Sequence, residues 1–337
     1  MRILGLVGAT HDSGLAILDD GWPTLVLEEE RLNRAKRTKV FPDRSLVAAL
    51  GPDLADLKDV DVITTPWNVA RLRKSFGMAI LRGLPGSLSL LLESSHTPQR
   101  NEIVLLNHYL RRRLRRVAGD QPLPRIVNVG HHDAHAAVFF VSPFEDATVL
   151  VMDGFGDDAA TSVYTGDGNG LSRAWWTGIF NSVGIAYTVV TKYLGFAGFS
   201  DEGKVMALAA YGDDRYVDAF RKLFRLEPDG RYRLDMSYFD FHRYGEFKPL
   251  KRKFFDAFGP ARDPGSELTE RHQAIARGLQ VVTEEVILHV VSELERRFAS
   301  RNLVISGGVA LNCVANARVL GNTGFERVWV PPCASDT

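Results

Sequence analysis

Residues 147–176 read ATVLVMDGFGDDAATSVYTGDGNGLSRAWW, which is three apolar runs separated by two turns rich in glycine and aspartate. The runs cover 148–152, 159–164 and 171–176, and the turns cover 153–157 and 166–170. Short apolar runs bounded by such turn residues predict β-strands joined as hairpins. We therefore expect a three-stranded unit at this place in the chain.

The same pattern stands at the start of the chain. Residues 2–7, 15–18 and 24–27 are apolar runs, and the polar turn 8–14 joins the first two. The two copies lie about 150 residues apart, and an internal repeat of this kind predicts two related α/β subdomains. We expect subdomain I at 1–145, with a helical insertion at about 68–117, and subdomain II at 146–337.

The composition predicts an ordinary globular chain, since 45% of its 337 residues are hydrophobic and 24% are charged. Basic and acidic residues balance at 41 each, so no net field favours a nucleic acid or a membrane as partner, although a local basic patch is left open. Cys313 and Cys333 form no CxxC motif and no signal peptide is recognisable, which predicts a reducing, cytoplasmic compartment. The most apolar span, 76–92, is interrupted by charged and turn residues and cannot cross a bilayer as one helix.

A histidine motif, Gly130-His131-His132-Asp133-Ala134-His135-Ala136-Ala137, follows the apolar run 126–129. A strand, a glycine and then an apolar-periodic helix would put His131 and His135 one turn apart on the same helical face. Two imidazoles in this arrangement can bind one metal ion, and Asp153 at a predicted strand end would supply a third ligand. The alternative is a helix start whose histidines cap, pack or face solvent.

A glycine turn, Ser306-Gly307-Gly308-Val309, lies between a predicted strand at 302–305 and a predicted helix at 310–320 that carries Asn312. Paired glycines let the backbone approach a nucleotide closely, and a helix start offers N–H groups to an anion. Glu202 and Lys204 stand at another predicted helix start, where they could hold a polar group or only cap the helix and face solvent.

One motif resembles a dinucleotide-binding signature without being one. Residues 154–159 match GxGxxA after a strand, but that motif must open a helix, whereas 161–164 continue as a strand. Two aspartates would also face the pyrophosphate. No GxxxxGK[ST] motif occurs in the sequence.

Two charged segments are typical of solvated helix faces and leave a functional alternative open. Residues 28–37 follow the third predicted strand, where Arg31 or Lys36 could reach a substrate. Residues 110–116 contain five arginines, which could bind an anionic substrate or a partner.

Taken together, these motifs resemble the O-carbamoyltransferase family, which includes nodulation-factor and antibiotic carbamoyltransferases such as the tobramycin and cephalosporin enzymes. The resemblance runs from end to end in the family's order. The matching pieces are His11-Asp12-Ser13, Glu29-Glu30-Arg31, the histidine motif, Asp153-Gly154, Glu202-Gly203-Lys204-Val205-Met206, Gly307-Gly308-Val309-Ala310-Leu311-Asn312 and Pro331-Pro332.

The resemblance implies a fold of two related subdomains like that of actin and the heat-shock ATPases, similar to the tRNA threonylcarbamoyl-transferring enzyme. It also implies a reaction. Carbamoyl phosphate and ATP would form carbamoyl-adenylate in a YrdC-like domain, and the transferase domain would pass the carbamoyl group to a hydroxyl of a sugar or secondary metabolite.

The resemblance further implies three sets of site residues. The metal ligands are His131, His135, Asp153 and Asp336; the nucleotide-binding residues are Gly307, Gly308, Val309, Asn312, Glu202 and Lys204; the catalytic residues are His11 and Lys36. Mixed nitrogen and oxygen ligands favour Fe²⁺ or a similar imidazole-preferring ion over calcium, and Mg²⁺ would accompany ATP. We expect His11 to be the general base because its ordinary pKa is near neutrality, the alternative being a histidine that only satisfies the backbone of its turn.

The departure from the family lies at the end of the sequence. Family members continue past the aspartate that Asp336 matches into a glycine-rich turn, a helix and the YrdC-like domain. This chain is therefore expected to be an excerpt of a longer protein or to depend on a separate partner for the adenylate. We also expect the segment 68–117 to line the acceptor side, and a homo-oligomer is left open.

Two other functional classes stay open. A metal-dependent kinase or ATPase of the same fold would use Asp12 or Asp153 with magnesium on phosphates. A non-catalytic binding subunit would bind the acceptor without transferring a group.

Overall fold

The computed structural model describes residues 1–8, 12–88, 105–241 and 248–336. The chain divides into two compact units. The first comprises Met1–Gly77, Leu91–Ala134 and Asp336–Thr337, and the second comprises Met78–Leu90 and His135–Ser335. The expected subdomain boundary between residues 145 and 146 stays a prediction.

A five-stranded mixed sheet forms the centre of the first unit. Its strands are β1 (Arg2–Val7), β2 (Gly14–Asp19), β3 (Trp22–Glu28), β4 (Val62–Thr65) and β5 (Arg125–Asn128). They lie in the order β3-β2-β1-β4-β5, with β1 to β3 antiparallel and β1, β4 and β5 parallel. Asp20 and Gly21 join β2 to β3 with φ of 49° and 88°, the left-handed backbone that a two-residue hairpin turn requires.

The structure describes five helices along this part of the chain, outside residues 89–104. They are α1 (Glu29–Asn33), α2 (Asp43–Leu50), α3 (Val69–Gly83), α4 (Leu106–Ala118) and α5 (His131–Ala136). Leu106, Leu110 and Leu114 of α4 are buried at a spacing of four residues, which gives this helix one apolar side. The predicted helical segment 68–117 therefore contains α3 and α4, while residues 89–104 lie outside the described part of the chain.

A second five-stranded sheet forms the centre of the second unit. The strands of this unit are β6 (Ala147–Met152), β7 (Ala159–Asp167), β8 (Gly170–Gly178), the short pair β9 (Phe224–Leu226) and β10 (Tyr232–Leu234), β11 (Asn302–Ser306) and β12 (Arg327–Trp329). The sheet has the order β12-β11-β6-β7-β8, with β6 to β8 antiparallel and β6, β11 and β12 parallel.

The two sheets have the same topology strand for strand. In each, three antiparallel strands come first in the chain, and two later strands then pair in parallel beside the first strand. Thus β1 corresponds to β6, β4 to β11 and β5 to β12. This duplication confirms the predicted three-strand repeat and the predicted α/β fold built from two related units.

Among the described residues of the second unit, six helices are found. They are α6 (Val183–Tyr193), α7 (Glu202–Leu208), α8 (Val217–Arg221), α9 (Arg252–Phe258), α10 (Glu270–Arg297) and α11 (Cys313–Asn322). The long helix α10 packs into a core where the tilted rings of Phe220 and Phe254 each contact Phe258, with ring centroids 4.4–4.5 Å apart.

The helix predicted at 310–320 begins later than expected. Residues Gly308–Leu311 form a 3-10 turn, and α11 starts at Cys313 because the Asn312 side chain accepts the Ala315 N–H and caps the helix. Among the described residues, no helix has the length and apolar character needed to span a bilayer.

A buried carboxylate replaces the missing side-chain cap at the start of α2. The residue before α2 is Pro42, which offers no capping group. Instead, Oε2 of Glu29 accepts both the N–H and the hydroxyl of Ser45 at 2.8 Å, and Glu29 is only 2% exposed. A side chain from another helix thus satisfies an N–H at the start of α2.

Replacing Glu29 should therefore destabilise the fold. We expect Glu29→Ala to lower the free energy of unfolding by about 1–3 kcal/mol, because it leaves two buried donors without an acceptor. Glu29→Gln should cost less, since the amide oxygen can still accept. Urea unfolding measures the change, with Glu145→Ala at an exposed position as control; equal stability of Glu29→Ala and the control would contradict this assignment.

Candidate functional site

The histidine helix α5 follows β5 directly, as the sequence predicts. Asp133 on α5 forms an ion pair with Arg71 of α3 at 2.9 Å. A Cβ at Gly130 would overlap the carboxylate of Asp133 and approach Nη1 of Arg71 to 2.8 Å. Glycine is therefore required before the helix so that this ion pair can hold α5 to α3.

His131 is held on two sides within the first unit. Its Nδ1 lies 3.1 Å from the carbonyl oxygen of Pro66, and the Trp67 ring stacks on the imidazole with centroids 4.2 Å apart. A carbonyl can only accept, so Nδ1 carries the hydrogen and donates it. The other ring nitrogen, Nε2, then faces Oδ1 of Asp336 at 3.4 Å.

This contact between His131 and Asp336 fits a cation. In the neutral imidazole the lone pair of Nε2 points at a carboxylate oxygen, and two acceptors repel unless a proton or a metal ion lies between them. A charge-assisted hydrogen bond would be about 2.7–2.9 Å long, shorter than the observed 3.4 Å. Two ligands at about 2.1 Å from one ion in tetrahedral geometry lie about 3.4 Å apart.

A second pair of the same kind lies in the second unit. Nε2 of His135 faces Oδ2 of Asp153 at 3.9 Å, and both side chains are largely buried. The residues that could hold a metal ion are therefore histidines and aspartates, namely His131, His135, Asp153 and Asp336. His131 and His135 lie four residues apart in α5, as predicted.

Asp153 is fixed by its backbone and by its carboxylate. Its N–H donates to the Ala160 carbonyl at 2.9 Å, and its carbonyl accepts the Ser182 hydroxyl at 3.0 Å. Its Oδ1 accepts the Gly308 N–H at 3.0 Å, which turns Oδ2 toward His135. The glycine turn thus orients a candidate metal ligand.

The glycine turn can do this because its backbone approaches β6 very closely. Gly307 has φ of 91°, and a Cβ there would overlap the carbonyl group of Met152. The Gly307 N–H donates to Ala334 at 2.8 Å, which ties the turn to the segment after β12. Val309, the third residue of the predicted nucleotide-binding turn, packs against the core of the second unit.

Asn312 is held by its own helix and by α10. Its Oδ1 accepts the Ala315 N–H, and its amide forms a reciprocal pair with the Gln280 amide in which both hydrogen bonds are 3.0 Å. Tyr187 donates its hydroxyl to Gln280, and burial together with the charges of Glu202 and Glu284 raises the pKa of this hydroxyl. The amide of Asn312 therefore has one fixed orientation.

Glu202 and Lys204 have local partners. Oε1 of Glu202 accepts the Thr188 hydroxyl at 2.7 Å and the N–H of Phe199 at 2.6 Å. Phe199 has φ of 60°, so Glu202 stabilises a left-handed residue in the loop before α7. Lys204 is exposed and pairs with Asp201 at 2.9 Å. A nucleotide-binding role for these two residues stays a prediction.

Lys36 is exposed in the turn after α1, and His11 lies outside the described residues. Two side chains shape this turn: Asn33 accepts the Ala35 N–H, and Glu30 accepts the Arg37 N–H, each at 2.8 Å. The catalytic roles expected for His11 and Lys36 stay predictions.

Sequence reasoning does not identify Pro66, Trp67, Ser182 and Gln280 as supporting residues. The duplication offers a signal for the first two, because Pro66 and Trp67 follow β4, the strand that corresponds to β11 before the glycine turn. The carboxyl ends of parallel strands are the usual places for ligand sites in α/β folds.

The sequence of this chain is similar to a known family and to several known proteins. A family model described as "Carbamoyltransferase N-terminus" matches residues 2–337. The protein sll1178 of Synechocystis sp. is 37% identical over 99% of this chain, and the Nodulation protein NolNO of Sinorhizobium fredii is 31% identical over 97% of it. This chain covers 55% and 44% of those two relatives, so it spans about half their length.

Solved structures with a similar chain path include component A of the (R)-2-hydroxyglutaryl-CoA dehydratase of Acidaminococcus fermentans. It is 15% identical, with a TM-score of 0.46, and the match covers 99% of this chain and 93% of that chain.

A side chain at Gly307 should disrupt the turn that holds Asp153. We expect Gly307→Ala to lower the free energy of unfolding by about 1–3 kcal/mol, because the alanine would have a left-handed φ and its Cβ would overlap Met152.

Thermal or urea unfolding measures this effect. Gly321→Ala is the matched control, because no atom lies within 4 Å of a Cβ at that position in α11. It should be neutral or slightly stabilising. If Gly307→Ala and the control have the same free energy of unfolding, the turn does not approach β6 as closely as described.

Proposed function

This chain belongs to the carbamoyltransferase family, and from this membership we propose that it transfers a carbamoyl group from carbamoyl-adenylate to a hydroxyl of a sugar or secondary metabolite. The observation that carries the proposal is Asp153, whose one oxygen is held by the Gly308 N–H while the other faces His135. A candidate metal ligand and a candidate nucleotide-binding turn are thus joined by one hydrogen bond.

We propose that one divalent ion, Fe²⁺ or a similar imidazole-preferring ion, binds to two histidines and two aspartates. The ligands are His131, His135, Asp153 and Asp336. The support is the donor set of two imidazole nitrogens and two carboxylate oxygens, which suits such ions. The hydrogen bond from His131 to the Pro66 carbonyl is a second support, since metal-binding histidines usually donate their other N–H in this way. When bound, the ion would act as a Lewis acid that neutralises the phosphate of the leaving nucleotide.

The residues of this chain would bind and orient the adenylate. The turn Gly307-Gly308-Val309 would let the backbone approach the adenylate closely, with Mg²⁺ accompanying ATP when ATP binds. Asn312 would contact the nucleotide with an amide that Gln280 keeps in one orientation. Because Trp67 stacks on His131, the imidazole cannot rotate away from this site.

Proton transfer would fall to His11. The acceptor oxygen attacks the carbamoyl carbon, its proton passes to the imidazole, and the bond to the phosphate oxygen breaks so that AMP leaves with the electron pair. Lys36 would contact the transferred carbamoyl group from its exposed turn.

The adenylate would reach this chain from a YrdC-like domain that uses carbamoyl phosphate and ATP, either C-terminal to it or in a separate protein. The support is that this chain spans only about half the length of its curated relatives. The segment 68–117 would line the site of the small-molecule acceptor. A cytoplasmic location and a homo-oligomer stay predictions.

Metal binding should depend on the two histidines of α5. We expect His131→Ala and His135→Ala each to lower the bound metal by at least about tenfold, because each variant loses one of four ligands. Elemental analysis of protein purified with Fe²⁺ measures the metal content. His289→Ala is the control, since His289 contacts backbone carbonyl groups of the second unit. Unchanged metal content in both α5 variants would sink the proposal.

This chain should catalyse carbamoyl transfer from carbamoyl-adenylate but should not form the adenylate from carbamoyl phosphate and ATP. With supplied carbamoyl-adenylate and a panel of sugar acceptors, this chain should release AMP in step with carbamoylated product. With carbamoyl phosphate and ATP, it should release no pyrophosphate, because the adenylate is expected to come from the YrdC-like domain. Chromatography of nucleotides and a pyrophosphate assay measure the two outcomes.

A variant tests the general base in the same assay. His11→Gln should lower AMP release by about 10²–10⁴-fold and leave the metal content unchanged. Robust pyrophosphate release by this chain alone would contradict the proposal that a YrdC-like domain forms the adenylate. ATP turnover without carbamoyl phosphate would instead favour a kinase or ATPase.

A further inference from the structure

The outward side of α4 carries four arginines and no apolar side chain. Arg111, Arg112, Arg115 and Arg116 are exposed, and we call these four residues the basic face. With 3.6 residues per turn, they and the exposed His108 fall within a single arc of about 140° around the helix axis. The opposite side of α4 is buried, so the orientation of the basic face is fixed by the core.

Within the described part of the chain, no carboxylate forms an ion pair with the basic face. The fifth arginine differs, since Arg113 pairs with Asp43 at 2.6 Å and lies over the Phe41 ring. Arg115 and Arg116 lie in the last turn, where the helix dipole favours cations. Arg111 and Arg112 lie one turn earlier, and each repels the arginine four residues later.

We propose that the basic face binds the phosphate backbone of double-stranded nucleic acid without reading its sequence. From Arg111 to Arg116 the helix rises about 7.5 Å. A duplex carries about four phosphate charges over that length, which matches the four arginines in number. The guanidinium fork also suits phosphate oxygens better than an ammonium group does.

The basic face is charged rather than apolar, which favours a nucleic acid over a protein or a membrane as its partner. Protein interfaces are centred on aromatic or aliphatic anchors, whereas no apolar side chain of α4 lies in the arc of the basic face and only the exposed Leu105 precedes the helix there. A helix that lies on a membrane inserts its apolar side, but the leucines of α4 are buried in the first unit. A phosphate backbone needs only positive charge at the surface, which is what this face offers.

Binding would be local to the outward side of α4, a helix within the segment 68–117 that is proposed to line the acceptor site. The whole chain has a formal net charge of zero, so an attraction to polyanions does not follow from its bulk charge. The proposal uses no residue of the metal, nucleotide or catalytic sets, and it stands or falls independently of the proposed function.

Salt-dependent binding to labelled duplexes tests the proposal. Fluorescence anisotropy with short DNA and RNA duplexes of two unrelated sequences should give similar affinities for both sequences. The plot of log K against log salt concentration should have a slope of about −3 to −4, as expected for about four phosphate contacts. Replacing all four arginines of the basic face by glutamine should lower the affinity at low salt by at least about tenfold and bring the slope toward zero.

A second fourfold variant is the matched control. Arg215→Gln, Arg221→Gln, Arg252→Gln and Arg296→Gln remove the same charge from positions paired with Asp213, Glu285, Asp256 and Glu293. Circular dichroism verifies that both variants fold, and only the basic-face variant should lose binding. Equal loss in both variants, or unchanged binding in the basic-face variant, would overturn the proposal. Polyglutamate or phosphatidylserine vesicles binding as tightly as the duplexes would overturn it as well.

Discussion

The hydrogen bond from the Gly308 N–H to Oδ1 of Asp153 joins the ends of two neighbouring parallel strands. Asp153 follows β6 and the glycine turn follows β11, so both emerge at the same edge of the second sheet. The bond occupies one carboxylate oxygen and leaves the other facing His135. It forms only because Gly307 lets the backbone approach Met152 more closely than a side chain would allow.

The duplicated fold places a similar backbone contact in the first unit, but there the backbone group accepts a hydrogen bond instead of donating one. After β4, the carbonyl of Pro66 accepts Nδ1–H of His131, whereas after β11 the N–H of Gly308 donates to Asp153. A carbonyl orients an imidazole and an N–H orients a carboxylate, so the equivalent loop in each unit holds a different kind of candidate metal ligand.

The local pattern of apolar runs, turn residues and histidine spacing predicts most of the fold. The apolar runs of 2–27 and 147–176 predict both three-stranded openings, and the spacing of the histidine motif predicts that His131 and His135 lie one turn apart in α5. The supporting contacts are not predictable in this way. Trp67 meets His131, and Gln280 meets Asn312, across 32 or more residues of sequence, so these contacts depend on tertiary packing. The late start of α11 has a local cause, the Asn312 cap, that the glycine pattern obscured.

Two imidazoles and carboxylate oxygens of this chain are proposed to bind one divalent ion. X-ray absorption spectroscopy of the protein loaded with Zn²⁺, chosen because it has no redox chemistry, tests it most directly. We expect one ion per chain with two imidazole ligands, nitrogen and oxygen neighbours at about 2.0–2.2 Å and no sulfur. A sulfur neighbour at about 2.3 Å, from Cys313 or Cys333, or a spectrum without imidazole scattering, would contradict it.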